Sequence, residues 1–209
     1  MGTTINTVIN QLRKEGKLPG EPPCNLLTNS SVQKTNLSPA LMEVKNKYPT
    51  GKDFLIAINP ARQLQVGINP GECYFGNSPT LASLNKLYGK GTAEVWLSTE
   101  VQDACLFMGV KEMPDINQTE KLVKIIVLQY GYLKVDELQL FFFYFCSAKY
   151  RHFFSTFDPS IIILSLQDFL RDRSRAYDER EQRERDRQYE EWKKNAITYE
   201  EYQRRKKEQ

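Results

Sequence analysis

LKVDELQLFFFYFCSAKYRHFFSTFDP, residues 133–159, is the most apolar and most aromatic part of the chain and holds its single histidine. Leu138, Leu140, Phe141, Phe142, Phe143, Tyr144 and Phe145 leave no polar face around a helix. A helix that is apolar all round is buried in a core, spans a membrane or sits in an interface. Crossing a bilayer takes about 18–20 apolar residues, roughly twice this run, so the membrane reading falls on length. A central core helix is expected, with Asp136 placed to cap its start and Phe141, Phe142 and Phe145 among the most buried side chains.

Just downstream, Lys149-Tyr150-Arg151-His152-Phe153-Phe154 interleaves basic and aromatic residues, and Asp158-Pro159 has the form of a helix start, with Asp as N-cap and Pro at the first helical position. The hexapeptide therefore reads as a connection between two helices. Such a mixture can stack bases and hold phosphates, and it is also the material of protein-interface hot spots. In the plainest reading the phenylalanines tuck under the core and Lys149 and Arg151 stay solvated. The stretch is too short to define a groove for several nucleotides. It is expected to meet a protein, with Lys149, Tyr150, Arg151, His152 and Phe154 as the partner-binding residues and Phe153 turned inward.

Working back from this stretch, Asn117 with Glu120 resembles a capping box. It opens a helix with Leu122, Ile125 and Ile126 on its apolar face, closed by Gly131. Before it, a stripe of Leu97, Val101, Ala104, Cys105 and Met108 ends at Gly109, and Ser78-Pro79 opens a helix that ends near Gly89 and Gly91. With the helices from Asp136 and Asp158 this makes about five helices with short connections, the pattern of a compact helical domain over residues 78–170. Residues 1–76 read as an irregular region with short helices, at 3–14 and after Ser38-Pro39. There Phe54–Ile58 is a candidate buried strand, and Asn59-Pro60 and Asn69-Pro70 mark turns, so a small β-hairpin is expected.

Working forward, Ile162, Leu166, Phe169 and Leu170 hold one face of the last helix, after which apolar residues nearly vanish while charges continue to Asn195. Glu179/Arg183, Glu181/Arg185 and Glu190/Lys194 are i,i+4 pairs in the favoured order, each contributing about 0.2–0.5 kcal/mol. Residues 171–194 are expected to be an exposed continuation of the core helix. A terminal helical hairpin is expected to follow, Thr198 and Glu201 capping it and Trp192 meeting Tyr199 and Tyr202. The apolar a and d positions of a coiled coil are missing.

The whole chain of 209 residues carries a net charge of +3, too near neutrality to argue for nucleic acid by charge alone. Acids lie one turn from every basic stripe of the last helix, which further weakens phosphate attraction. Cys24, Cys73, Cys105 and Cys146 form no C-x-x-C pair, so neither a zinc site nor a disulfide framework is visible. His152 has no Ser-His-Asp or Cys-His partner at an identifiable spacing, and no phosphate-binding glycine loop, H-E-x-x-H or EF-hand loop is present. The sequence thus offers no catalytic residue, no metal ligands and no cofactor motif. With no basic-then-apolar secretory signal, the expected location is the cytoplasm.

SPTLASLNKLYG at 78–89, VWLSTEVQDACLFMGVKEMP at 95–114, YGYLKVDELQLFFFYF at 130–145 and KYRHFFSTFDPSIIILSLQDFLRDR at 149–173 together resemble a family of uncharacterised proteins carried by phages and conjugative elements of gut Bacteroidota. In that family the last motif usually reads like KYGHFYGSVDP, so Ala148, Arg151 and Ser155 stand at small or glycine positions. The resemblance covers almost half of the chain and brings no established activity. It implies a protein of a mobile element, and a non-catalytic accessory or adaptor role in DNA replication or transfer, through contacts with a protein such as a replicative helicase. Direct DNA binding through the basic-aromatic loop and the Arg-rich helix is the alternative.

Overall fold

The computed structural model describes residues 37–151, 153, 156–196, 200, 203, 204 and 206. The chain is mainly α-helical and ends in a long C-terminal helix, in line with the sequence pattern. Among the described residues the helices are α1 (Pro39–Lys47), α2 (Gly51–Ala57), a 3-10 turn (Pro60–Arg62), α3 (Gln63–Ile68), α4 (Pro70–Phe75), α5 (Leu81–Tyr88), α6 (Thr92–Phe107), α7 (Ile116–Tyr130), α8 (Val135–Cys146) and α9 (Pro159–Asn195). No β-strand occurs among them. The extended pairings are isolated bridges, Thr80 with Lys134 and Glu112 with Thr156.

The region from 37 to 75 corrects the sequence reading. Phe54–Ile58 is not a strand, because Thr50 and Asp53 form a capping box that starts α2: Thr50 Oγ1 accepts the Asp53 N–H (3.1 Å) and Asp53 Oδ2 accepts the Thr50 N–H (3.0 Å). Each Asn-Pro pair does mark a turn, but one leading into helix: Asn59 Oδ1 caps the Ala61 N–H (2.9 Å), and Pro60 and Pro70 stand at the first helical turn. The expected hairpin is therefore replaced by short helices. Their buried residues Phe54, Ile58, Val66, Cys73 and Tyr74 share one core with Leu81, Trp96, Phe142 and Phe169. That core begins well before residue 78, and residues 37–209 cluster as one compact unit. The expected helix at 3–14 lies outside the described residues, as do Thr198, Tyr199, Glu201 and Tyr202, on which the expected terminal hairpin rests.

At the centre is α8, packed against α3, α4, α6 and α9. Leu138, Leu140, Phe141, Phe142 and Phe145 are buried, as an all-round apolar helix requires. Its start differs from expectation. The helix begins one residue before Asp136, which instead accepts from Arg62 Nη1 (2.5 Å), while Glu137 accepts the Lys134 N–H (3.0 Å). Ser78-Pro79 likewise does not begin α5, whose cap is Thr80. That segment pairs with the turn before α8: the Ser78 hydroxyl accepts the Asp136 N–H (3.2 Å) and the Pro79 carbonyl accepts the Val135 N–H (2.9 Å). Asp115, not Asn117, stands at the N-cap of α7. Close approach of α3 to α8 depends on Gly67, where a Cβ would lie 2.6 Å from the Phe143 ring.

Helix α9 runs unbroken from its Asp158 cap, whose carboxylate accepts the Ser160 N–H (2.9 Å), to Asn195. It leaves the core later than residue 171. Arg173 Nε donates to the fully buried Glu137 (2.7 Å), and the Tyr177 ring meets Phe75 edge-on at 5.1 Å. Arg180 still lies over Phe75, 4.3 Å from its centroid. Only beyond it does the helix become a solvated arm about 22 Å long at 1.5 Å per residue. Of the expected i,i+4 pairs, Glu181/Arg185 closes at 2.9 Å. Trp192 and Tyr189 stack on each other at 5.9 Å, both exposed.

Candidate functional site

The basic-aromatic loop follows directly from the way α8 ends. The Lys149 N–H reaches back to the Tyr144 carbonyl (3.0 Å) and the Ala148 N–H to the Phe145 carbonyl (3.1 Å), the paired bonds of a Schellman turn. Such a turn needs a left-handed residue, and Ala148 supplies it at φ +57°. A left-handed non-glycine residue costs about 1–2 kcal/mol, part of which glycine loses again through its freer unfolded chain. Ala148→Gly is therefore expected to stabilise the fold by about 0.5–1 kcal/mol, read as a higher urea midpoint with an unchanged slope.

Beyond the turn the loop is held to α9. Lys149 Nζ pairs with Asp172 (2.9 Å) and sits 3.9 Å from the centroid of the Tyr144 ring. The Tyr150 hydroxyl donates to the same carboxylate (2.8 Å), and its ring stacks on Phe141. Burial pushes the Asp172 carboxyl up, but the hydrogen bonds from Lys149 and Tyr150 and the Lys149 charge outweigh it, so the group is held below the usual carboxylate range. Burial, with the bond to Asp172, raises the Tyr150 phenol. Arg151 is exposed and lies 3.8 Å from Asp168, which also pairs with Arg171.

Of the five sequence-derived partner residues, then, Lys149 and Tyr150 are turned to α9 and Tyr150 is half-buried rather than reaching out. Arg151 faces solvent. His152 and Phe154 lie outside the described residues, and Phe153 is buried against Phe145 and Phe157. Sequence spacing could not reveal the clasp, because Asp172 lies more than twenty residues downstream on a helix that otherwise reads as solvated.

A feature absent from the sequence reading lies at the same end of α8. A groove of about 330 Å³ is walled by Pro60 and Leu64, by Asp103 and Phe107 of α6, and by Phe143 and Cys146 of α8. Its rim is apolar and open to water, Leu64 being 70% and Phe107 71% exposed. Burial pushes the Cys146 thiol up to about 12, which keeps it protonated and a poor nucleophile at neutral pH. Behind the groove Glu100 is fully buried, accepting from Gln63 (2.6 Å) and Gln139 (3.3 Å). The signal available in sequence was the pair Leu106-Phe107 just before Gly109, two large apolar residues at a helix end.

Among the described residues no group of three or more His, Cys, Asp and Glu side chains is placed to hold a metal ion, and no helix is long and apolar enough to cross a membrane. Residues 112–209, a little under half of the chain, match the model of a family of unknown function, DUF6633. No curated protein and no solved structure matches the chain.

Proposed function

We propose that this chain is a non-catalytic adaptor of a phage or conjugative element of gut Bacteroidota, acting in the cytoplasm in DNA replication or transfer through protein–protein contacts, for example with a replicative helicase. The observation that carries the adaptor reading is the open apolar groove beside the loop after α8, with Leu64 and Phe107 on its rim. Apolar side chains grouped around a concavity on the surface are what a protein partner buries. The mobile-element setting rests on the sequence resemblance over residues 78–173. Direct DNA binding is the second reading, favoured by Arg180, Arg183 and Arg187 along one side of α9. Against it, Arg185 and Arg187 are paired with Glu181 (2.9 Å) and Glu184 (2.8 Å), which reduces the number of phosphates the helix can neutralise.

Leu64→Glu with Phe107→Glu tests the adaptor reading. Both side chains are exposed, so the double variant is expected to melt within about 0.5 kcal/mol of the parent. It should lose host proteins, the helicase included, that the parent captures at physiological salt. Full retention of those partners by a normally folded double variant would overturn the groove as the contact. Tight binding of single-stranded DNA by the parent, lost on replacing Arg180, Arg183 and Arg187 with Gln, would put the DNA reading in its place.

A further inference from the structure

The groove has a charge to match as well as an apolar wall. Glu100, Asp103 and Phe107 follow one another at i, i+3 and i+7 along α6, so they share a helix face. Phe107 stands on the rim and Glu100 lies buried behind. Between them the half-buried Asp103 carboxylate has no hydrogen-bond or ion-pair partner among the described residues. No Lys, Arg or His among the described residues lines the groove. The cation standing nearest in sequence to the groove wall, Arg62, is already committed to Asp136 (2.5 Å) and Gln139 (3.0 Å). Burial raises the Asp103 carboxyl with no partner to offset it, the behaviour of an acid whose environment lacks a counter-charge.

Resting on the adaptor reading, we infer that the groove takes an amphipathic helical segment of a partner protein, one that seats a large apolar side chain between Leu64, Phe107 and Phe143 and sets a Lys or Arg against Asp103. Helix-in-groove recognition works in this way: an apolar face supplies the contact and flanking charges fix register and orientation. An acidic segment is disfavoured because it would bring like charge to an unpaired, partly desolvated carboxylate. A neutral segment would leave the carboxylate covered and unpaired, at a desolvation cost.

Synthetic peptides test this with the full chain as receptor. One is an amphipathic helix with a leucine face and a lysine face; the other carries glutamate in place of each lysine. Fluorescence anisotropy at physiological salt should show saturable binding of the basic peptide only. Asp103→Asn is expected to weaken it about fivefold, the upper end for a partly exposed ion pair. Leu64→Glu should abolish it, and Asp103→Lys should transfer preference to the acidic peptide. Equal affinity for both peptides, or no effect of Asp103→Asn in a normally folded variant, would overturn the proposed charge pairing. Failure of the basic peptide to bind the parent would overturn the helix-in-groove occupant altogether. Whether the groove is the adaptor's contact surface is decided separately, by whether the Leu64, Phe107 double variant loses the captured host proteins.

Discussion

Phe142→Ala should lower the stability of the fold by about 3–5 kcal/mol. Phe142 is fully buried on α8 and meets Phe141 edge-on at 5.0 Å, and Phe141 in turn contacts Phe145, Tyr150 and Phe169. Removing the ring deletes a large apolar surface and leaves a cavity among side chains that are themselves locked by packing, so collapse around the gap is incomplete. Whole-domain stabilities are about 5–15 kcal/mol, which makes this loss a large share of the total. Urea titration followed by far-UV circular dichroism reads the effect as a drop in midpoint at constant slope. Leu128→Ala is the matched comparison: Leu128 is 86% exposed on α7, and its truncation should move stability by no more than about 0.5 kcal/mol. Similar midpoints for the two variants would mean that α8 is not the centre of the core.

The same contrast explains what the sequence could say about the fold. Local signals were enough wherever one residue type has few alternatives. The all-round apolar run from Leu138 to Phe145 had to be covered, and Asp158-Pro159 had to start a helix. Gly109 could adopt the positive φ that closes α6, and a stretch free of Gly and Pro ran as one helix to Asn195. Phe54–Ile58 went the other way because five apolar residues carry no readable period. The deciding signal was Thr50-Gly-Lys-Asp53 just before it, a cap with Asp in place of the usual Glu or Gln.

The candidate surface was less legible, for a reason of range. Lys149 and Tyr150 look like free hot-spot residues until Asp172 is placed beside them, and Arg173 looks solvated until Glu137 is found buried under it. The groove is formed by three segments that are distant in sequence, around Leu64, Phe107 and Phe143. No periodicity within any one of them indicates that they converge. What sequence did locate is the end of α8, since Cys146 lines the groove and Lys149 begins the clasp.

Glu100→Gln should make the protein more stable near pH 8 and leave it little changed near pH 4.5. The Glu100 carboxyl is fully buried. Burial pushes its pKa from 4.5 up to about 7, against the hydrogen bonds from Gln63 and Gln139 that favour the charged form. In the unfolded chain the same group titrates near 4.5. Between those values the folded state holds a proton that the unfolded state has released, so stability is fully present below about 4.5 and falls as pH rises to about 7. Each tenfold change in proton affinity is worth about 1.4 kcal/mol, which brings the loss to about 3 kcal/mol. The amide is never charged and removes this slope. Its added N–H₂ can donate to Gln63 once that side chain turns its carbonyl inward, so the network can stay satisfied. Asp53, Asp158 and Asp172, whose pKa values are lowered, act in the opposite sense, losing stability as pH falls through their folded pKa values. They do so equally in parent and variant, and taking the difference between the two cancels them. Urea midpoints of both proteins from pH 4.5 to 8.5 should therefore diverge progressively up to about pH 7 and then run parallel. A difference independent of pH would show that Glu100 stays ionised in the core throughout, and that Gln63 and Gln139 suffice to hold the charge.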